Sequence, residues 1–292
     1  MRVLLTNDDG IQAPGLWAAA ASLREVAEVT IVAPDREQSG VGTSISLHGP
    51  VRIMELPPQV LEVKTYAVEG TPSDCIILAS QIILKEGIDL VVSGINQGAN
   101  LGVDVLLSGT VGAAFQGHFR NLPAIAISVT ALKDVQFAPA ALLLRLLAPR
   151  MVELPHTPAP LLNVNLPNVS LKKLEGVSIT YMGRRTYIDT VKEGDDGRRQ
   201  WFWIARSKPE WEETDGSDIW AIRKKRVSIT PLSTDMSDYG LVRSLEGLAQ
   251  AMAVALGDTR SRPRLSKARA VPRPHSRAGI TSRAKSPRGS SS

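Results

Sequence analysis

Short apolar runs alternate with amphipathic stretches along the first 130 residues of the chain. Runs at 2–6, 28–33, 63–68, 88–93 and 123–128 read as strands. Stretches at 14–26, 73–86 and 109–120 read as helices between them. This alternation predicts a parallel sheet with helices on both faces. The first strand, Arg2-Val3-Leu4-Leu5, gives way to Thr6-Asn7-Asp8-Asp9-Gly10, and Pro14 stands where a helix can begin. Residues 34–50 interrupt the alternation with a long Gly/Ser-rich loop, of a kind that usually serves function in a compact domain. A strongly apolar helix over 136–148 and a strand over 160–165 follow.

Near residue 176 the pattern changes. Residues 177–182, 185–191 and 200–205 read as antiparallel strands, with Gly194-Asp195-Asp196-Gly197 as a turn. Trp201 and Trp203 share a face by alternation. That face is a subunit contact or ordinary core, and the uncovered edges of such an excursion favour the contact. A strand over 226–230 and a helix over 242–256 complete the pattern. The predicted fold class is α/β: a Rossmann-like, mostly parallel sheet with helices on both faces, plus an antiparallel β-hairpin excursion near 177–205. The predicted organisation is one domain over 1–257, with 177–205 as an oligomerisation arm, and a basic Ser/Pro/Arg-rich tail over 258–292.

Composition narrows the class. With 43% hydrophobic and 4% aromatic residues, the 292-residue chain has the makings of an aliphatic core. Its single cysteine, Cys75, excludes a disulfide framework or a cysteine-rich zinc site within one chain. Val3-Leu4-Leu5 is too short for the apolar part of a signal peptide, and no uncharged apolar stretch approaches the ~20 residues of a membrane helix. A cytoplasmic enzyme is expected, with no membrane partner. The net charge of +5 comes from the tail: residues 259–292 hold ten Lys+Arg and no Asp or Glu, leaving 24 against 29 elsewhere, a net of −5. The tail has too few large apolar residues to offset its ordering entropy and is expected to be disordered. Weak contact with nucleic acid or polyphosphate through it is one reading; a solvated appendage is the other.

Three polar, glycine-rich segments each follow a predicted strand: Thr6 to Gly10, Asp35 to Ser44, and Ser93 to Gly102. In a parallel sheet they emerge on one edge and can converge on one crevice. Asp8 and Asp9 read either as a turn and helix cap or as a cation site, because two close carboxylates repel and a hard divalent ion resolves the repulsion. The segments offer carboxylates, hydroxyls and amides but no cluster of His or Cys, a donor set suited to Mg²⁺ or Mn²⁺. Ser108-Gly109-Thr110-Val111-Gly112-Ala113-Ala114 then opens a helix whose small residues let backbone N–H groups approach an anion. It is neither a Walker A loop nor a GxGxxG fingerprint, and on its own it is equally a capped, tightly packed helix. A cation site beside an anion cradle is the equipment of phosphoryl chemistry.

At these segments the chain resembles the SurE (stationary-phase survival protein) family of 5′/3′-nucleotidases. The resemblance covers roughly residues 1–248. It is carried by Leu5-Thr6-Asn7-Asp8-Asp9-Gly10, Ala33-Pro34-Asp35-Arg36 to Ser39-Gly40, Gly70-Thr71-Pro72-Ser73-Asp74-Cys75, Ser93 to Asn100, Ser108 to Ala114, Asn163-Val164-Asn165-Leu166-Pro167 and Val227 to Leu232. It implies a phosphatase of nucleoside monophosphates that uses one divalent cation held by Asp8, Asp9, Ser39 and Asn96. It also agrees with a homodimer or homotetramer. Leu107 stands where the family often has Tyr, and Gln116 where an acidic residue is common.

Around that set, Asn7 reads as a phosphate donor or a turn brace, and Asn100, Ser108, Gly109 and Thr110 as phosphate contacts. His118 reads as structural, His48 stays open, and Cys75 reads as a small buried hydrophobe. Rival readings are a broader phosphatase or exopolyphosphatase on the same site, an aspartyl-phosphate mechanism, and a nucleotide- or nucleic-acid-binding protein working through its tail. Adjacency of the two Asp speaks against the second, because Asp-x-Asp phosphatases use alternate residues.

Overall fold

A computed structural model describes residues 1–154, 157–186, 189–195, 197, 199–206, 210–211 and 214–256. The predicted tail lies outside the described residues, as does Asp196 of the predicted turn. The chain divides into two compact units, Met1–Asp235 and Met236–Ser292.

In chain order the first unit contains β1 (Arg2–Thr6), α1 (Pro14–Leu23), β2 (Glu28–Pro34), β3 (Ile53–Leu56), β4 (Lys64–Val68) and α2 (Pro72–Leu78). There follow β5 (Leu90–Gln97), α3 (Gly109–Phe119), β6 (Ala124–Val129), α4 (Phe137–Glu153), β7 (Leu161–Leu166) and β8 (Val177–Ile179). The arm contributes β9 (Arg185–Thr186), β10 (Asp189–Asp195), β11 (Gln200–Arg206) and β12 (Glu210–Trp211). Then come α5 (Asp218–Arg223) and β13 (Val227–Pro231). The described part of the second unit holds α6 (Tyr239–Ser244) and α7 (Glu246–Ala255), so the single helix expected over 242–256 is two.

Nine strands form one sheet in the order β3-β4-β2-β1-β5-β6-β7-β13-β8. The six from β4 to β7 are parallel; β3 runs antiparallel to β4, and β13 antiparallel to β7. Alternation within β1 explains the two-sided core. Val3 and Leu5 pack with Leu16, Leu23 and Leu144 of α1 and α4, while Leu4 packs with Ile76, Val111 and Phe115 of α2 and α3. β10 and β11 pair antiparallel from Asp189↔Arg206 to Asp195↔Gln200. Trp201, Phe202 and Trp203 are exposed on this hairpin.

The chain winds from β1 to β2 on one side and later returns to add β5 on the other. The strand order therefore reverses between β1 and β5, and their carboxyl ends open a crevice there.

Candidate metal and phosphate site

Asp8 and Asp9 follow β1 after Asn7, and Asn96 and Gln97 close β5, so the two sides of the crevice carry the expected polar residues. The Gln97 N–H donates to Asp9 Oδ2 at 3.0 Å, bridging the two strand ends. The Thr110 hydroxyl donates to Asp8 Oδ1 at 2.5 Å. Gly109 makes that approach possible: a Cβ there would stand 2.9 Å from Asp8 Cβ and 3.0 Å from its Oδ2. Ser108 caps α3 by accepting from Val111 N–H at 3.2 Å. The positive end of α3 is thus set against the Asp8 carboxylate.

The loop after β2 is drawn onto the same place. Gln38 N–H donates to the Asp8 carbonyl at 2.7 Å, and Gly42 N–H to the Leu107 carbonyl at 3.0 Å. Ser39, next to Gln38, is exposed and donates to Glu37 Oε1 at 2.7 Å. Asp74 anchors the far end of the loop. It accepts from Ser46 N–H at 2.9 Å, Ser46 Oγ at 2.7 Å and Thr71 N–H at 2.8 Å, and its own N–H completes a capping box with Thr71.

The remaining candidates divide in two. Asn96 donates through Nδ2 to the Gly98 carbonyl at 2.9 Å, which leaves its side-chain oxygen for a ligand. Asn7 is fully buried and donates to the Gly10 carbonyl at 2.9 Å, the contact of a turn brace. Its Oδ1 is buried and has no partner among the described residues. Asn100 donates through Nδ2 to Ser128 Oγ at 2.9 Å. His118 points Nδ1 at the Ala159 carbonyl, 2.7 Å away, as a structural histidine does. Cys75 is wholly buried, which pushes its thiol well above the ordinary range and leaves it inert.

Charge is the unresolved quantity in the crevice. Burial pushes Asp8 upward, against the opposing hydrogen bonds from Thr110. Burial, and then the neighbouring Asp8 charge, push Asp9 up to about 7. No Lys or Arg forms an ion pair with either carboxylate among the described residues. Two desolvated carboxylates without a counter-ion, with a serine hydroxyl and an amide oxygen nearby, fit a hard divalent cation. No group of three or more His, Cys, Asp or Glu gathers among the described residues, and the donor set here contains only two such residues, Asp8 and Asp9.

Three supporting residues escape sequence reasoning. Glu37 raises both Asp8 and Asp9 by its charge. Asp218, buried at the start of α5, accepts from Gly102 N–H and Gly183 N–H, each at 2.8 Å. Asn165 pairs with the Asn100 backbone. A fourth supporting residue, Asp74, has a local signal, the Thr71-x-x-Asp74 spacing of a capping box.

Comparison with known proteins bears on this arrangement. The family model described as "Survival protein SurE" matches residues 3–189. A 5′-nucleotidase SurE of Dehalococcoides mccartyi (strain CBDB1) is 46% identical over 234 residues, 80% of this chain and 88% of that protein. A 5′-nucleotidase SurE of Carboxydothermus hydrogenoformans is 41% identical over 261 residues, 88% of this chain and 99% of that one. The crystal structure of the SurE protein from Aquifex aeolicus superposes with a TM-score of 0.73 at 34% identity, covering 85% of this chain and all of that one. No helix among the described residues is long and apolar enough to cross a membrane.

Proposed function

The chain belongs to the SurE family, and from that premise we propose that it is a metal-dependent phosphomonoesterase hydrolysing nucleoside 5′-monophosphates to nucleoside and phosphate. The observation that carries the reading is the uncompensated Asp8–Asp9 pair at the β1/β5 crevice, facing the N-terminus of α3. Asp8, Asp9, Ser39 and Asn96 would hold one cation, and their all-oxygen character suits Mg²⁺ or Mn²⁺. When bound, such a cation offsets phosphate charge and acidifies water.

The protein's own groups do the rest. At the positive end of α3, the Gly109 N–H and the Ser108 hydroxyl are the donors turned to phosphate oxygens, Thr110 holds Asp8 beside them, and Asn100 adds a contact from the β5 side. Asn7 keeps the turn that aims the two carboxylates. Water attacks phosphorus in line; the new P–O bond forms as the bond to the ribose oxygen breaks. A carboxylate oxygen of the Asp8–Asp9 pair takes the proton of the attacking water, and the departing ribose oxygen takes one from solvent. The reading includes a homo-oligomer, supported by the exposed Trp201, Phe202 and Trp203 on the arm.

Phosphate release from 5′-AMP, 5′-GMP, 3′-AMP, para-nitrophenyl phosphate and tripolyphosphate, with Mg²⁺ and Mn²⁺ separately, tests the assignment. Preference for nucleoside monophosphates, lost on adding chelator, is expected. Equal rates on all five phosphate substrates would sink the nucleotidase reading in favour of a general phosphatase.

A further inference from the structure

Asn163 and Asn165 alternate on β7 among apolar neighbours, so both side chains project to one face of a central strand. Both are fully buried, where an unpaired amide group is costly; both amide groups of Asn165 are paired, and Asn163 is paired through Nδ2 while its Oδ1 has no partner among the described residues. Their partner is a single residue 63 to 65 positions away in sequence. Asn165 Oδ1 accepts from Asn100 N–H at 2.9 Å, and Asn165 Nδ2 donates to the Asn100 carbonyl at 3.0 Å. Asn163 Nδ2 donates to the same carbonyl at 2.8 Å. Asn100 Nδ2 in turn donates to Ser128 Oγ on β6, the strand between.

Register shows that this is a designed stripe. Asn96 of β5 lies beside Ser128 of β6, Ser128 beside Asn165 of β7, and Asn165 beside Ser228 of β13. Neighbouring strands lie ~4.8 Å apart, so these polar side chains form one row across the sheet. The row begins at an expected cation ligand and grips the loop that carries an expected phosphate contact.

We propose that Asn165 is a positioning residue for phosphate binding: its amide pairs with both backbone groups of Asn100 and holds the 97–102 loop in the conformation that faces the ester. This rests on the phosphatase reading above, in which Asn100 meets the phosphate. Asn163 reinforces the grip at the carbonyl, and Ser128 sets the Asn100 side chain. None of the three touches the reacting atoms.

Two measurements on the full chain test the inference. The first is hydrogen exchange of the 97–102 segment in the metal-free protein, which needs no activity. The second is KM for 5′-AMP and Ki for inorganic phosphate, alongside kcat and Mn²⁺ affinity. Asn165→Asp is nearly isosteric and keeps the acceptor for Asn100 N–H, but it sets an oxygen against the Asn100 carbonyl. We expect faster exchange in the segment and KM and Ki raised ~10-fold, about the effect of one buried hydrogen bond made to a charged ligand. Mn²⁺ affinity should move less than KM and Ki, because Asp8 and Ser39 are held from outside this segment, and only Asp9 and Asn96 are braced by it. Ser128→Ala, which removes one hydroxyl, should show the same pattern at ~3-fold and serves if the first variant does not fold.

Unchanged exchange overturns the inference. So does faster exchange with KM and Ki unchanged, since a merely structural role predicts that result. A wild-type chain that is active beside an Asn165→Asp variant of normal KM overturns the inference alone. A wild-type chain that hydrolyses no phosphate ester overturns the functional reading together with it.

Discussion

Thr110 donates its hydroxyl to Asp8 Oδ1 at 2.5 Å, joining the first turn of α3 to the end of β1 across 102 positions of sequence. The bond orients one carboxylate and ties the N-terminus of α3 to the carboxyl end of β1. Thr110→Val keeps the shape and removes the donor. Turnover of 5′-AMP should fall ~10- to 100-fold with a far-ultraviolet spectrum like the parent's. Thr110→Ser should restore most of it. Equal rates for the valine variant and the parent would remove Thr110 from the site.

The Asp8–Asp9 pair gives a pH prediction whose sign is opposite to that of most carboxylates. Asp9 titrates near 7 in the folded protein, above its ordinary 3.8, and Asp8 is raised too. Between those pH values the folded chain binds more protons than the unfolded chain, so stability falls as pH rises. The contribution is present in full below about 4 and lost through about 7. The metal-free parent should therefore lose melting temperature relative to Asp9→Asn by several degrees on going from pH 5 to pH 8. Mn²⁺ at pH 8 should restore the parent and leave the variant unmoved. A difference between the two proteins that stays constant with pH would contradict the raised carboxylate.

Much of this arrangement was legible in the chain because polar residues directly after apolar strands announce a strand-end crevice. All six parallel strands and α1, α3 and α4 fall where the apolar pattern puts them, within a few residues. β3 was invisible: Ile53-Met54-Glu55-Leu56 is a half-exposed edge strand, with no buried face to impose alternation. α5 was missed because six residues are too few for helical periodicity to show. The helix expected over 73–86 stops at Leu78 and continues as a wider turn over Ala79–Ile83. Asp218 carried no local signal, and the Asn163-Val164-Asn165 run marked the family without showing what it holds, since Gly102 and Asn100 come near only through the sheet order.

Asp74 separates the stability of the loop from the chemistry of the crevice. Its carboxylate holds Ser46 and Thr71, yet it is none of the proposed ligands. Asp74→Ala leaves those donors without a partner and removes the carboxylate half of the α2 capping box, a loss of about 2 kcal/mol. The 39–46 segment should exchange its amide protons faster, and Mn²⁺ affinity should drop because Ser39 rides on that loop. Faster exchange with unchanged Mn²⁺ affinity would take Ser39 out of the cation's shell.

Gly15 tests how closely α1 must approach the crevice. A Cβ at that position would stand 2.0 Å from the Ile95 carbonyl oxygen and 2.9 Å from the Phe137 ring. Ile95 immediately precedes Asn96, so relief of the clash must move either α1 or the backbone that carries an expected cation ligand. Overpacking of this kind costs about 2 kcal/mol or more. If α1 yields, Gly15→Ala melts earlier but binds Mn²⁺ with parental affinity. The rigid packing of α1 against α4, through Leu16, Leu23 and Leu144, favours movement at Ile95 instead. Gly15→Ala should therefore lower both melting temperature and Mn²⁺ affinity, the latter ~10-fold, as expected when a ligand is displaced from its geometry. Calorimetric titration with Mn²⁺ on the folded variant decides between the two, and parental affinity would mean that β5 holds its carboxyl end independently of α1.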